Sequence, residues 1–244
     1  MIEIQSLTKQ YANTSAPAVK GISLHIRERE IFGLLGPNGA GKTTTISMLC
    51  GLVKPSGGSV SVKGKRLSDH FHELRSEIGI VPQDIALYPS LSARENLEFY
   101  GAMYGVEKSV LKARIARWLD KMELSDVADR RVENYSGGMK RRVNLIAGIL
   151  HEPTVLFLDE PTVGVDVQSR SAIIEHLREL NANGMTVLYT SHHMDEAEKF
   201  CTEVAIMDHG QVLIQGSPEK LIEAHAAKDL EEVFLKLTDK ALRN

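Results

Sequence analysis

The 244 residues carry 29 Lys and Arg against 32 Asp and Glu, a net charge of −3, with 43% hydrophobic and 25% charged residues. This is the balance of an ordinary globule of one domain with an attached lobe; it excludes disordered and collagen-like chains and lacks the overall basic field of a dedicated nucleic-acid binder. Two isolated cysteines, Cys50 and Cys201, read as buried thiols, no apolar run approaches the ~20 residues of a membrane span, and Met1-Ile2-Glu3-Ile4 lacks the order of a signal peptide.

Alternating polarity over residues 2–7 and 22–26 predicts half-buried strands, and residues 59–62 continue the pattern after the turn Pro55-Ser56-Gly57-Gly58. Together they make a small antiparallel layer. The apolar run of residues 31–35 leads into Gly36-Pro37-Asn38-Gly39-Ala40-Gly41-Lys42-Thr43, and residues 44–49 can wind as a helix behind it. Ser92 with Glu95 forms a capping box, after which Ala93, Leu97, Tyr100 and Tyr104 recur at helical spacing. A second helix carries Leu111, Ile115, Trp118, Leu119 and Met122 on one face, and a third is expected over 139–150. Residues 84–150 therefore read as a helical lobe inserted into an α/β core, because 154–158 and 185–190 return to buried-strand character. Residues 204–207 and 211–215 form a hairpin through Asp208-His209-Gly210, and Ser217-Pro218 opens a closing helical segment over 219–244, beyond a nucleotide-binding domain over 1–218.

Three constellations carry chemistry. Glycines in residues 36–43 let backbone N–H groups wrap phosphates, while Lys42 supplies a point charge for the β and γ phosphates and Thr43 a hydroxyl for Mg²⁺. The run Val155-Leu156-Phe157-Leu158-Asp159-Glu160 ends in two carboxylates at the edge where open α/β sheets bind ligands. There Asp159 would hold Mg²⁺ through water and Glu160 would polarise an attacking water as general base. Tyr135-Ser136-Gly137-Gly138-Met139 places a serine and two glycines before a helix, a second candidate anion site.

In this order and at these separations, the three motifs resemble the nucleotide-binding subunit of ATP-binding cassette (ABC) transporters, over about residues 2–218. Residues 36–43 match the Walker A loop, 136–139 the signature motif and 156–160 the Walker B strand. The resemblance implies a P-loop NTPase (RecA-like) α/β core with an antiparallel β layer and an inserted helical lobe. It implies that ATP is bound by Tyr11, Gly36, Pro37, Asn38, Gly39, Ala40, Gly41, Lys42, Thr43 and Thr44, with Tyr11 stacking on adenine. Gln83 falls at the glutamine that senses Mg²⁺, so Thr43, Gln83 and Asp159 are the implied metal residues. His192, favoured over His193 by its order in the motif, matches the switch histidine that joins Glu160 and Gln83 in catalysis, and Asp166 sits at the loop touching the partner subunit. Departures are Arg29 where the family usually has glycine, Val167 for a common proline, and Met139 and Tyr135 within the signature.

The resemblance further implies a head-to-tail dimer, homodimeric or with a similar ATPase subunit, in which Ser136, Gly137, Gly138 and Met139 close on the partner's ATP. A separate transmembrane permease at the cytoplasmic face of the membrane is implied, with Tyr88, Phe99 and Tyr104 as candidate contacts. Residues 135–142 and 229–235 resemble the ABC-2-type exporter subgroup. The alternative is a cassette ATPase acting on DNA or ribosomes, although no sustained heptads separate Thr43 from Ser136 and no nucleic acid partner is expected. A nucleotide kinase or GTPase would leave the signature and His192 unexplained.

Overall fold

The computed structural model describes residues 1–12 and 14–238; Asn13 and residues 239–244, the end of the expected closing segment, lie outside them. Strands β1 (Ile2–Lys9), β2 (Val19–Ile26), β4 (Gly57–Val62) and β5 (Lys65–Arg66) form an antiparallel sheet in the order β2-β1-β4-β5. The alternation in β1 shifts by one residue midway: Ile2, Ile4 and Leu7 are buried, and Ser6 takes a φ of 46° where the register with β2 jumps. A bulge there returns Leu7 to the core face.

The second sheet has six strands in the order β10-β9-β3-β8-β7-β6. Strands β3 (Ile31–Leu35), β6 (Ile78–Val81), β7 (Val155–Asp159), β8 (Thr186–Ser191) and β9 (Glu203–Asp208) run parallel, and β10 (Gln211–Gly216) turns back antiparallel as the predicted hairpin. Every residue of β3, β7 and β8 is buried, as both faces of a parallel sheet are covered. Successive side chains go to opposite faces. Leu156, Leu158, Val187 and Tyr189 enter the core shared with the helical lobe, while Val155, Phe157 and Leu188 join Phe32 and Leu34 in the core under the antiparallel layer. In register, Leu35 pairs with Ser191 and Asp159 with Thr190, so Gly36, Glu160 and His192 all emerge at one edge.

Helices α3 (Ala93–Met103), α4 (Lys108–Lys121) and α5 (Gly137–Ile149) share one hydrophobic core, into which α4 sends Leu111, Ile115, Trp118 and Leu119. The capping box forms in both directions: Glu95 N–H donates to Ser92 Oγ at 3.2 Å and Ser92 N–H to Glu95 Oε2 at 2.8 Å. Helix α5 also lies on β6, where a Cβ on Gly79 would stand 2.3 Å from Gly148 O.

One expected boundary needs correction. The third lobe helix starts at Gly137 and not Met139, because Ser136 Oγ accepts Met139 N–H at 3.2 Å and winds both glycines into the first turn. Tyr104, one of the candidate permease contacts, is half-buried and stacks on His151 with ring centroids 3.7 Å apart and planes 2° from parallel. A further helix, α2 (Leu67–Leu74), escaped the periodicity because it buries only its two end residues and kinks at His70. Arg29 takes a φ of 58°, which accounts for the glycine usual at that place in the resembled family.

Helices α1 (Lys42–Leu49), α6 (Val167–Ala182), α7 (Met194–Phe200), α8 (Pro218–Ala224) and α9 (Leu230–Thr238) are the other α-helices among the described residues. Among the described residues, no helix is long and apolar enough to cross a membrane. Cys50 and Cys201 are both buried free thiols, and burial pushes their pKa values up.

Candidate nucleotide site

The glycine-rich loop joins β3 to α1 under close constraint. A Cβ on Gly36 would stand 2.0 Å from Met207 O, and one on Gly41, at φ 105°, 2.5 Å from Ala18 O, so neither position admits a side chain. Gly41 caps α1 without a side-chain acceptor, which leaves the first N–H groups of the helix facing a cavity of about 470 Å³. Ala18, Asn38, Gly39, Gly41, Lys42, Thr43, Thr44, Gln83 and Glu160 line that cavity.

Glu160 is the hub of the site. Its Oε1 lies 3.2 Å from Lys42 Nζ, and its Oε2 lies 3.2 Å from His192 Nδ1 and accepts from Gln83 Nε2 at 3.4 Å. Lys42 also donates to Gly36 O at 2.8 Å and Pro37 O at 3.1 Å, which gives its three N–H groups three acceptors. Glu160 itself sits at φ 47°, a conformation costing about 1–3 kcal/mol for a residue with a side chain. Its N–H donates to Thr190 Oγ1 at 3.0 Å, and that hydroxyl donates to Asp159 Oδ1 at 2.7 Å. Thr190 thus holds the Asp159 carboxylate and the main chain of Glu160 from the neighbouring strand. Sequence reasoning passed over it, although a threonine ending the apolar run Val187-Leu188-Tyr189 was the available signal.

Of the three expected metal residues, Thr43 and Gln83 line the cavity. Asp159 is 3% exposed and bound to Thr190, one layer behind. All three offer oxygen to a cation, the donor type that suits Mg²⁺, and the depth of Asp159 fits contact through water.

Ser136, Gly137, Gly138 and Met139 do not join this cavity. Gly138 packs so closely on α6 that a Cβ would stand 2.3 Å from Ser169 Oγ. Asp166 caps α6: it accepts from Ser169 N–H at 2.9 Å and Ser169 Oγ at 2.8 Å, and these bonds hold its carboxyl below the usual carboxylate range. The signature glycines and the Asp166 loop are therefore neighbours within one chain. Tyr11 is also outside the cavity wall, 39% exposed, with Lys9 Nζ 5.0 Å from its ring centroid. His193 caps α7, while burial, then the neighbouring His192, lowers its pKa.

Two further charged groups sit behind the site. Arg141 of α5 is 6% exposed, and burial holds its guanidinium below the ordinary value, against the opposing pull of Asp84, Asp159 and Glu160. Glu196 of α7 accepts from Thr162 Oγ1 at 2.9 Å, and burial raises its carboxyl pKa. A second cavity of about 460 Å³, between α1, β4 and α2, is lined by Met48, Val53, Val60, Leu67 and Phe71 with Lys54 and Arg66, and contains no carboxylate or imidazole.

The family model described as ABC transporter matches residues 19–163. The chain is 46% identical over 221 residues to the linearmycin resistance ATP-binding protein LnrL of Bacillus subtilis (strain 168), covering 91% of this chain and 70% of that protein. It is 39% identical over 234 residues to the Nod factor export ATP-binding protein I of Ralstonia nicotianae, covering 96% of this chain and 72% of that protein. The fold is similar to that of a solved ATP-binding subunit of an ABC transporter, at 28% identity and TM-score 0.88, covering 98% and 99% of the two chains. It is also similar to a dimeric post-hydrolysis state of the ATP-binding cassette MJ0796 bound to ADP and Pi, at 27% identity and TM-score 0.82, covering 89% and 98%.

Proposed function

Because the chain belongs to the ABC transporter family as its ATP-hydrolysing subunit, we propose that two copies, or this chain and a similar one, pair head to tail and drive export through a separate membrane permease. The observation that carries this reading is the division of the site. Lys42, Thr43, Gln83 and Glu160 converge on one cavity, while Ser136, Gly137, Gly138 and Met139 lie outside its wall, free to close on another copy's nucleotide. A dimeric neighbour bound to ADP and Pi supports the same arrangement.

In this reading the N–H groups of residues 38–44 and the Lys42 ammonium hold the β and γ phosphates. Mg²⁺, held by Thr43 and Gln83 and through water by Asp159, would neutralise the charge that builds on the transferring group. Glu160 takes the proton from the attacking water, and His192 and Gln83 hold its carboxylate in line. Tyr11 stacks on the base from the rim, and Asp166 contacts the partner.

The names of the two relatives, one for resistance and one for export, support outward transport. The exposed edge-to-face pair Tyr88 and Phe99, centroids 5.1 Å apart, stands where the chain passes from Gln83 into the lobe and is the permease contact. That contact holds the subunit at the cytoplasmic face of the membrane. Photo-crosslinkers at positions 88 and 99 should capture a membrane protein from native membranes; capture of only ribosomal proteins or DNA would overturn the transport reading.

A further inference from the structure

The Arg141 guanidinium reaches two loops at once. Nη1 donates to Pro82 O at 3.1 Å and Gln83 O at 2.6 Å, and Nη2 donates to Val163 O at 3.4 Å. Asn144, one turn further along α5, grips the first loop too: it accepts from Ala86 N–H at 3.3 Å and donates to Pro82 O at 3.4 Å. The first loop carries Gln83, whose side chain touches Glu160; the second runs from Glu160 to Asp166. Arg141 itself lies in the helix capped by Ser136.

Burying a cation is costly, and that cost offsets part of what its hydrogen bonds to three main-chain oxygens contribute to stability. A planar fork, however, can fix two separate stretches of main chain relative to one helix, which a point charge or a methyl group cannot. We infer that Arg141 is a positioning residue for ATP turnover: it makes the Gln83 loop, the Glu160–Asp166 loop and the Ser136 helix move as one piece. Occupancy sensed at a chain's own cavity is thereby transmitted to the signature that the same chain offers its partner. This rests on the reading of Lys42 and Glu160 as the hydrolytic site.

The test compares Arg141→Met and Arg141→Lys with the parent, measuring melting temperature, ATP Kd, KM and kcat, with Glu160→Gln as reference. Arg141→Met should melt below the parent yet stay folded at the assay temperature and bind ATP within about twofold, while kcat falls about tenfold to hundredfold, the scale of a misplaced reactive geometry. Arg141→Lys keeps the charge but not the fork and should recover only part of kcat. An Arg141→Met protein with parental kcat overturns the inference, as does one whose loss of activity follows its loss of folded protein. If Arg141→Met does not fold, Arg141→Lys decides: parental kcat overturns the inference, and reduced kcat with normal melting and Kd supports it. Undiminished turnover by Glu160→Gln would instead overturn the hydrolytic reading itself, whatever Arg141 does.

Discussion

Lys42 Nζ lies 3.2 Å from Glu160 Oε1, with the two side chains 4% and 5% exposed. Glu160 is therefore the counterion of Lys42, and in the proposed function a nucleotide's phosphates must displace it. If Glu160 is the proposed base, removing its charge should both abolish that base and ease the displacement. Glu160→Gln is expected to bind ATP more tightly, by roughly 1 kcal/mol or about fivefold in Kd, while kcat falls by about 10²–10⁴. Equilibrium binding and phosphate release check the two halves separately, and weaker binding would show that Lys42 gains nothing by losing its partner.

Thr190 ties the Asp159 carboxylate and the Glu160 main chain to β8, and its own strand partner is Asp159. Thr190→Val keeps the shape but deprives Asp159 Oδ1 of a donor and Glu160 N–H of an acceptor in a buried place. Urea unfolding should show a loss of about 1–3 kcal/mol. A change below a few tenths would mean that water replaces the hydroxyl.

Gly138 and Ser169 touch across the first turns of α5 and α6. A methyl group at 138 must push these helices apart, at a cost of about 1–3 kcal/mol that exceeds the helix-propensity gain of about 0.5–1 kcal/mol. The double variant Gly138→Ala/Ser169→Gly should recover part of the loss in a mutant cycle. Strict additivity would indicate that the two sites do not press on each other.

Much of this arrangement was legible in the sequence, for reasons that differ from residue to residue. Residues 31–43 and 155–160 could be read because an uninterrupted apolar run ending in glycines or carboxylates has few structural meanings other than a buried strand meeting a site. The capping box at Ser92 and the apolar face of α4 were local patterns of the same directness. Thr190, Arg141 and the Gly138–Ser169 contact were not legible, because each depends on which distant segment the fold brings alongside. A buried arginine in a helix rich in basic residues looks like any solvated cation until its acceptors are known. The stacking partner of Tyr104 was hidden for the same reason, His151 lying far along the sequence.

His151 carries a pH dependence of definite sign. Its ring is stacked on Tyr104, Nε2 lies 3.0 Å from Ile78 O, Nδ1 is buried without a partner, and burial lowers its pKa. The folded protein therefore binds a proton here less readily than the unfolded chain, whose histidine titrates near about 6.5. The contribution is fully present above that value and is lost as pH falls through the lower folded value. His193, also lowered by burial, adds in the same direction. Unfolding free energy should fall as pH drops below about 6.5, and His151→Gln should flatten that slope. An unchanged slope would show that His151 does not carry the dependence.

The most direct measurement places one new thiol on each side of the proposed junction. Copies bearing Asn38→Cys are mixed with copies bearing Ser136→Cys, both in the Glu160→Gln background, and treated with a short bifunctional thiol crosslinker. Native Cys50 and Cys201 are buried, so the introduced thiols are the reactive ones. With Mg²⁺ and ATP the mixture should give a covalent dimer that neither variant forms alone and that is lost when nucleotide is withheld. Failure to form that dimer at saturating ATP, or its formation regardless of nucleotide, would contradict a site completed by the signature of a second copy.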